Sequence, residues 1–248
     1  MKERFAVAQE EKTALCIVAH ADDIEFDGAG MLALWIREGW RVYYVICTDG
    51  SGGGPDDATD VSAAARQRVI EIRQQEQRAA AQILGVQDVI FLGYPDGELQ
   101  PDLRLQRELV RLLRQYRPAR VLFQSPDRTW TPTLIIQRYH PDHMAAGQAA
   151  LSAVYPASQN PWAFPDLFEQ GFKPHKVDEV YITNAPILNY IVDITEVMDL
   201  KMAALRAHVS QMGEQMVQME QLLRSIDAET GQKYGYTYAE AYHRIDHR

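Results

Sequence analysis

Four polar residues that could do chemistry together follow an apolar run at residues 14–19: His20, Asp22, Asp23 and Glu25. Such a run is typical of a buried strand, and open α/β sheets bind ligands beyond the carboxyl ends of their parallel strands. His20 and Asp23 can face one cation there, which leaves Asp22 beside the cation in the position of a general base. The structural alternative is that these aspartates, together with Asp27, only cap the next helix, with His20 an ordinary strand-end histidine.

A second cluster, His-Pro-Asp-His, lies at residues 140–143. Pro141 suits the first position of a helix that runs to about Val154, so His140 is predicted as its N-cap and His143 as a first-turn residue. Both rings can then converge on one site in front of the helix. Together with the first cluster, this one supplies the third ligand of an open site with two histidines and one carboxylate. That is the donor set of a catalytic zinc whose fourth position is left to water.

Strands and helices alternate around these clusters. Strands are predicted at 41–48, 88–92 and 120–124, and helices at 31–38, 62–84 and 102–115. This alternation predicts an α/β fold with a parallel sheet and right-handed connections. The turn at 93–97 follows a strand, so Asp96 lies at the same kind of strand end as His20.

Three segments between these elements are predicted as loops. The Gly-rich residues 50–54 lack the Lys and Ser/Thr of a phosphate loop and the spacing of a dinucleotide fingerprint, so a mobile active-site loop is predicted instead. Residues 125–139 are predicted as irregular. The Pro- and aromatic-rich residues 160–174 form a further loop, for which surface packing and substrate binding both stay open.

The last third of the chain is predicted to add two strands and a helical segment. The strands lie at 177–183 and 190–193, and residues from Thr195 to about Ile226 are mostly helix, with methionines that suit a core or an interface. The aromatic tail at 234–242 is predicted as an interface.

Composition narrows the classes of function. The net charge of −9 argues against a nucleic-acid partner, because phosphate binding needs clustered Lys and Arg. A hydrophobic content of 46% in 248 residues fits one domain that spans 1–248. The first residues hold no apolar core of signal-peptide length and no later segment approaches a membrane span, so a cytoplasmic protein without a membrane partner is expected. Cys16 and Cys47 lie in apolar runs and are predicted to be buried free thiols.

Taken together, the motifs resemble the PIG-L/LmbE-like family of metal-dependent N-acetylglucosaminyl de-N-acetylases over almost the whole chain. The core of the match is His20 to Glu25 and His140 to His143. Supporting matches are Thr48-Asp49-Gly50, Arg73-x-x-Glu76, Leu84-Gly85-Val86, Tyr94-Pro95-Asp96-Gly97 and Ala207-His208-Val209-Ser210-Gln211. One departure is Ala21, where the family usually has a proline that pre-sets the backbone.

The resemblance implies a Rossmann-like, mainly parallel sheet with helices on both faces and a role for each site residue. It assigns the metal to His20, Asp23 and His143, proton transfer to Asp22, and stabilisation of the transition state to His140. Asp142 is expected to hold the His140 ring. Contacts with sugar hydroxyls are expected from Arg73, Asp96 and Asp49, although an Arg73–Glu76 ion pair on one helix is the structural alternative.

The function predicted from these motifs is hydrolysis of the N-acetyl group of an N-acetylglucosamine-type sugar or conjugate, giving acetate and a free amine. Zn²⁺ is the expected cofactor, with Fe²⁺ or another divalent ion as alternatives. A small amino sugar is the expected partner, in a homo-oligomer. One rival is an amidase of the same site that acts on a thiol or antibiotic conjugate. Another is a non-catalytic carbohydrate- or nucleotide-binding domain, against which the unliganded carboxylate of Asp22 argues.

Overall fold

A single sheet runs through the computed structural model, which describes residues 12–247. Its strands are β1 (Thr13–Val18), β2 (Arg41–Thr48), β3 (Asp88–Tyr94), β4 (Arg120–Gln124), β5 (Glu179–Thr183), β6 (Tyr190–Asp193) and β7 (Ala239–Asp246). Their spatial order is β3-β2-β1-β4-β5-β7-β6. The first five strands are parallel to one another, whereas β7 runs antiparallel to β5 and to β6. The order 3-2-1-4-5 is that of a Rossmann-like sheet, so the predicted fold class is confirmed.

Helices flank this sheet. They are α1 (Asp23–Asp27), α2 (Ala29–Arg37), α3 (Ala63–Leu84), α4 (Leu103–Tyr116), α5 (Ile136–Tyr139), α6 (Pro141–Ser152), α7 (Pro165–Glu169), α8 (Met198–Leu205), α9 (Val209–Met212) and α10 (Met216–Tyr234). Short 3₁₀ turns lie at Thr195–Val197 and Gly213–Gln215, and a π turn at Ala153–Ala157. None of these helices within residues 12–247 is long and apolar enough to cross a lipid bilayer.

Strand β1 shows how the two faces of the sheet are covered. Its side chains alternate between faces, as in any strand. Ala14, Cys16 and Val18 belong to the core shared with α2, α3 and α8. Leu15 and Ile17 belong to the opposite core, shared with α4 and α6. Because both faces are covered, every residue of β1 is buried, which explains the continuous apolar run in the sequence.

Several elements differ from the sequence prediction. Residues 125–139, predicted as irregular, contain α5, and β5 begins at Glu179 and not at 177. The helical segment predicted from Thr195 is broken at residues 206–208, and its last helix, α10, continues to Tyr234, where Gly235 in the left-handed conformation ends it. The predicted loop at 160–174 contains the short helix α7, which begins with Pro165 at its first position. The third strand also continues two residues further than predicted, to Tyr94.

The aromatic tail was predicted as an interface, and this is wrong for its second half. Residues from Ala239 onwards form the strand β7 inside the sheet, and the Tyr242 ring is fully buried. The Glu240 carboxylate accepts from the backbone N–H groups of Gly30 and Met31, and so satisfies the open start of α2. This second half of the tail therefore completes the sheet.

Both cysteines lie where the sequence predicted them. Cys16 in β1 and Cys47 in β2 are buried and free. Burial raises the pKa of both thiols, so they stay protonated at neutral pH and act as small apolar side chains.

Candidate metal centre

The two sequence clusters meet at the carboxyl end of the sheet. His20 follows β1 and Asp96 follows β3, while His143 lies in the first turn of α6. The close approach of α6 to the sheet depends on Gly147, because a Cβ at that position would lie 2.3 Å from the carbonyl oxygen of Gln124 at the end of β4. Gly147 and His143 are one helical turn apart, on the same face. A larger residue at 147 would therefore push His143 away from the site.

Nitrogen and oxygen atoms of His20, Asp23 and His143 converge at this end. His20 Nδ1 lies 3.2 Å from His143 Nε2, and His143 Nε2 lies 3.1 Å from Asp23 Oδ1. Asp23 Oδ2 lies 3.5 Å from His20 Nδ1. Bond lengths of 2.0–2.1 Å to a tetrahedral zinc put neighbouring donor atoms about 3.3 Å apart. The distances are close to this spacing, with Asp23 facing His143 through Oδ1 and His20 through Oδ2. The three side chains can therefore surround one cation position, and the nitrogens of His20, His140 and His143 also lie within 4.8 Å of one another there.

The far side of the His20 ring faces two carboxylates. His20 Nε2 lies 3.0 Å from Asp96 Oδ1 and 3.3 Å from Asp142 Oδ2. Metal-binding histidines usually donate their second N–H to a carboxylate, which fixes the tautomer and the ring orientation. Asp142 is itself fixed, because its carboxylate accepts from the backbone N–H groups of Gly97 and Leu99. Asp96 and Asp142 therefore suit the orientation of His20 with Nδ1 towards the metal position.

The structure corrects the contact that was predicted between Asp142 and His140. The Asp142 carboxylate faces Gly97, Leu99 and His20. It is the backbone N–H of Asp142 that donates to His140 Nδ1, at 3.2 Å. This bond is the predicted N-cap of α6. The sequence motif alone could not distinguish the two, because both contacts come from the same residue.

Contact with the backbone N–H sets the tautomer of His140. Since Nδ1 accepts a hydrogen bond, a neutral ring carries its proton on Nε2. Burial and the neighbouring imidazoles of His20 and His143 lower the pKa of His140. The ring centroid lies 4.6 Å from that of His20 and 5.0 Å from that of His143. His140 is thus suited to act as a neutral N–H donor at the edge of the site.

Asp22 lies beside the three converging side chains and has an unusual backbone. Its φ of 83° is left-handed, and its side chain makes no capping hydrogen bond to α1, so the capping alternative does not describe Asp22. Left-handed aspartate costs of order 1 kcal/mol or more. Burial, with a contribution from the Asp23 carboxylate, raises the pKa of Asp22 to about 6 against the lowering effect of Arg73.

The charges of the three converging side chains are strongly coupled. Burial alone would raise the pKa of Asp23, but the His143 and His20 imidazoles hold it well below its ordinary value. Burial lowers the pKa of His20, yet hydrogen bonds to Asp142, Asp23 and Asp96 raise it well above the usual range. The Asp23 carboxylate likewise outweighs burial and raises the pKa of His143. These are the directions expected where imidazoles and carboxylates pair with one another.

The predicted contacts of Arg73, Asp96 and Asp49 with a sugar stay a prediction; within the protein, the three residues bind the backbone around the site. The buried Arg73 donates to the carbonyls of Gly50 and Ala21. Asp96 accepts from the N–H of Gly52, and Asp49 accepts from the N–H groups of Ser51 and Asp96. The three residues hold the Gly-rich loop against the metal position.

Glu76 does not pair with Arg73, as the structural alternative proposed. Its carboxylate accepts from the backbone N–H and the hydroxyl of Ser210. The contact joins α3 to α9. The Arg73 side chain is left to the loop and to Asp22, whose Oδ2 lies 3.5 Å from Arg73 Nη2.

Two buried residues near the site received no role from the sequence, Gln77 and His208. Gln77 accepts from the backbone N–H of Asp22 at 2.8 Å. His208 pairs with Glu25, with 3.1 Å between His208 Nε2 and Glu25 Oε2. His208 also explains the break between α8 and α9, because it leaves the helical conformation (φ −86°, ψ 60°). The sequence marked His208 only as part of the motif at residues 207–211, and it did not mark Gln77.

Comparison with known proteins identifies a family for this chain. The model of the family described as GlcNAc-PI de-N-acetylase matches residues 15–154. The diacetylchitobiose deacetylase of Thermococcus kodakarensis is 34% identical over 92% of this chain and 81% of its own length. A probable N-acetyl-alpha-D-glucosaminyl L-malate deacetylase 2 of Bacillus cereus is 26% identical over 89% of this chain and 93% of its own.

A solved structure is also similar. The N,N'-diacetylchitobiose deacetylase of Pyrococcus horikoshii, in complex with its inhibitor MPG, superposes with a TM-score of 0.84 at 30% identity, over 96% of this chain and 85% of that one. The range matched by the family model contains His20, Asp23 and His143. The chain belongs to the PIG-L family of de-N-acetylases.

Proposed function

We propose that this chain is a zinc-dependent N-deacetylase that removes the acetyl group from an N-acetylglucosamine-type sugar or conjugate, giving acetate and a free amine. One observation carries the proposal. His20, Asp23 and His143 present donor atoms at the spacing of a tetrahedral metal site, and the carboxylate of Asp22 lies beside them without being one of the three. An unliganded base next to a metal is what amide hydrolysis requires.

The donor set favours zinc. Two imidazoles and one carboxylate with an open fourth position form a common catalytic zinc site, and Fe²⁺ or another divalent ion with similar preferences is the alternative. When bound, the cation polarises the acetamide carbonyl and makes the attacking water more acidic. Within the protein, His20, Asp23 and His143 hold it, and Asp96 and Asp142 orient the His20 ring.

Asp22 has the position and the environment for proton transfer. It takes the proton from the attacking water as the new C–O bond forms. When the C–N bond breaks, it returns that proton to the departing nitrogen, so acetate and an amine are released with atoms and charge in balance. The left-handed turn keeps its side chain beside the metal ligands Asp23 and His20.

His140 can stabilise the oxygen that becomes negative during the reaction. Its Nε2–H is free of the capping contact, which uses Nδ1. A neutral imidazole is sufficient as a donor, and such a bond contributes about 2.7–4 kcal/mol in the transition state. In this proposal, His140 and Asp22 act from opposite sides of the scissile amide.

An N-acetylglucosamine-type substrate is supported by the relatives, which are deacetylases of diacetylchitobiose and of a glucosaminyl malate. Arg73, Asp96 and Asp49 remain the proposed contacts for sugar hydroxyls. Their hydrogen bonds to the Gly-rich loop also let them shape the wall around the sugar.

The remaining expectations complete the proposal. The chain acts as one domain over 1–248, in the cytoplasm, and as a homo-oligomer. Association is supported by apolar and aromatic side chains that are exposed on one protomer, among them Trp130, Leu134, Ile136, Tyr234 and Tyr236. Exposed groups of this kind are often found at contacts between subunits.

Replacing His140 tests its role as donor. We expect His140→Ala to retain the metal and to lower kcat by about 10²–10³-fold, with kcat/KM falling in parallel because the bond forms mainly in the transition state. His140→Asn keeps an N-cap but lacks the ring, so it should regain the melting temperature without the activity. Steady-state kinetics, elemental analysis and thermal unfolding of both variants measure this. A fully active His140→Asn protein would show that the ring only caps α6.

Acetate release tests the proposed function itself. Protein reconstituted with Zn²⁺ should release acetate from one or more of N-acetylglucosamine, diacetylchitobiose, N-acetylglucosaminyl malate, N-acetylglucosaminyl inositol and N-acetylated aminoglycoside precursors. An acetylated lysine peptide serves as the control amide without a sugar. Release from none of the sugars, with the metal bound, would contradict the proposal, and cleavage of a thiol conjugate alone would favour the amidase.

A further inference from the structure

One peptide group at the site is held from both ends by α3. The carbonyl of Ala21 and the N–H of Asp22 belong to the same peptide. Arg73 Nη2 donates to that carbonyl at 2.8 Å, and the N–H donates to Gln77 Oε1, also at 2.8 Å. Arg73 and Gln77 are four residues apart and therefore on one face of the helix. Both hydrogen-bond the peptide that leads into the left-handed turn.

The Gln77 amide has one orientation that satisfies all its contacts. Its Nε2 lies 3.3 Å from both carboxylate oxygens of Glu25, and the oxygen faces the Asp22 N–H. Glu25 in turn pairs with His208, whose Nε2 lies 3.1 Å from Glu25 Oε2. Gln77, Glu25 and His208 are all fully buried. A reversed amide would put oxygen against carboxylate, so Glu25 fixes which end of Gln77 meets Asp22.

These two hydrogen bonds act on residues 21 and 22, whose backbone conformation the local sequence does not fix. Residue 21 is alanine, so no proline ring fixes its φ. Asp22 then takes a left-handed φ of 83°, which aspartate tolerates better than most residues but still at a cost in free energy. The two hydrogen bonds from α3 are contacts of the kind that offset this cost. They set the direction in which the next side chains leave the turn.

We propose that Gln77, oriented by Glu25 and His208, is a positioning residue that sets the conformation of Asp22 for proton transfer. The inference rests on the proposed function, because it needs Asp22 to act on the substrate. Gln77 acts through the Asp22 backbone and touches neither substrate nor metal. It adds a function for three buried polar residues that neither the metal site nor the core packing uses.

Removing the two hydrogen bonds of Gln77 is the first test. Gln77→Met keeps the length of the side chain and removes both contacts. Misplacement of a reacting group by about 1 Å costs up to about 100-fold, so we expect kcat to fall about 10–100-fold, with metal content unchanged and KM within about threefold. Gln75→Met is the matched control, since Gln75 is exposed on the same helix, and it should behave like the parent.

Exchanging the partners is the second test. Gln77→Glu alone places two carboxylates together and should be at least as inactive as Gln77→Met. In the double variant Glu25→Gln with Gln77→Glu, the introduced carboxylate accepts from the Asp22 N–H and the introduced amide donates to it. We expect the double variant to recover kcat at least about tenfold over Gln77→Glu, as coupled neighbours do. A residue that only stabilises the fold would show the loss in the melting temperature and no such rescue.

A structure of the zinc-loaded Gln77→Met protein gives a readout that does not depend on activity. We expect the 21–22 peptide to rotate and φ of Asp22 to leave the left-handed region. Parent-like kcat in Gln77→Met, or a loss without rescue by the exchange, would overturn the inference while acetate release by the parent still supported the function. If the parent releases no acetate, the proposed function is refuted, and φ of Asp22 in the Gln77→Met structure then tests the positioning role by itself. An unchanged φ would overturn that role as well.

Discussion

His143→Ala protein is expected to lose its metal and its acetate-releasing activity together. His143 Nε2 faces both Asp23 and His20 at 3.1 and 3.2 Å, so removal of this ring leaves two donors and a gap in the tetrahedral set. Activity should fall below about 1% of the parent and should follow the residual metal content, since the cation supplies the main polarisation of the amide. Elemental analysis of protein purified without chelator measures the first quantity, and acetate release measures the second.

The same result is expected for His20→Ala, and His243→Ala provides the control. His243 lies on β7 with its Nδ1 against the carbonyl of Ile187, away from the site, so that variant should keep one metal per chain. Treatment of the parent with a chelator should abolish activity, and added Zn²⁺ should restore it. Unchanged metal content in both the His20 and the His143 variants would refute the assignment of these ligands.

Much of this centre could be predicted because its residues lie at the ends of recognisable elements. His20 ends an apolar run, and Pro141 indicates the start of the helix whose first turn contains His143. The carboxyl ends of parallel strands meet at one edge of a sheet, so the sequence predicts that the two distant clusters converge. Because strand ends can be recognised in a sequence, a site built on them can be predicted as well.

The residues that surround the ligands were harder to predict, since their roles depend on direction and not on type. Asp142 was expected to hold His140, yet the carboxylate faces His20 and only the backbone N–H reaches His140. Gln77 lies in a helix rich in Gln, Glu and Arg, where nothing distinguishes it from its neighbours. Its contact with Asp22 spans 55 positions, so it follows from the packing of α3 and not from any local pattern.

The end of the chain was mispredicted for a similar reason. An aromatic segment is compatible with an interface or with a buried strand, and hydrophobic composition does not distinguish them. What decides for the strand is pairing with β5 and β6, together with the use of Glu240 to satisfy the start of α2 and to pair with the buried Lys201. These partners are distant in sequence, so no local signal reports them.

Asp22→Asn is expected to keep the metal and to lose nearly all activity. Asparagine adopts the left-handed conformation as readily as aspartate, so the turn and its bonds to Gln77 and Arg73 should persist. The amide cannot take a proton from water or return one to nitrogen. Because one carboxylate performs both transfers, kcat should fall by about 10³–10⁴-fold, more than for His140→Ala.

Measurement of the Asp22→Asn protein needs one precaution. Deamidation of the introduced amide regenerates the parent residue, so mass spectrometry should accompany the kinetics, and residual activity should be compared with Asp22→Ala. Metal content should equal that of the parent, because the atoms that face the metal position belong to His20, Asp23 and His143. Activity near the parent rate in intact Asp22→Asn protein would exclude Asp22 as the proton-transfer group. If Asp22→Asn lost both its metal and its activity, Asp22 would instead be a fourth metal ligand. The 3.1–3.5 Å contacts among His20, Asp23 and His143 do not involve Asp22.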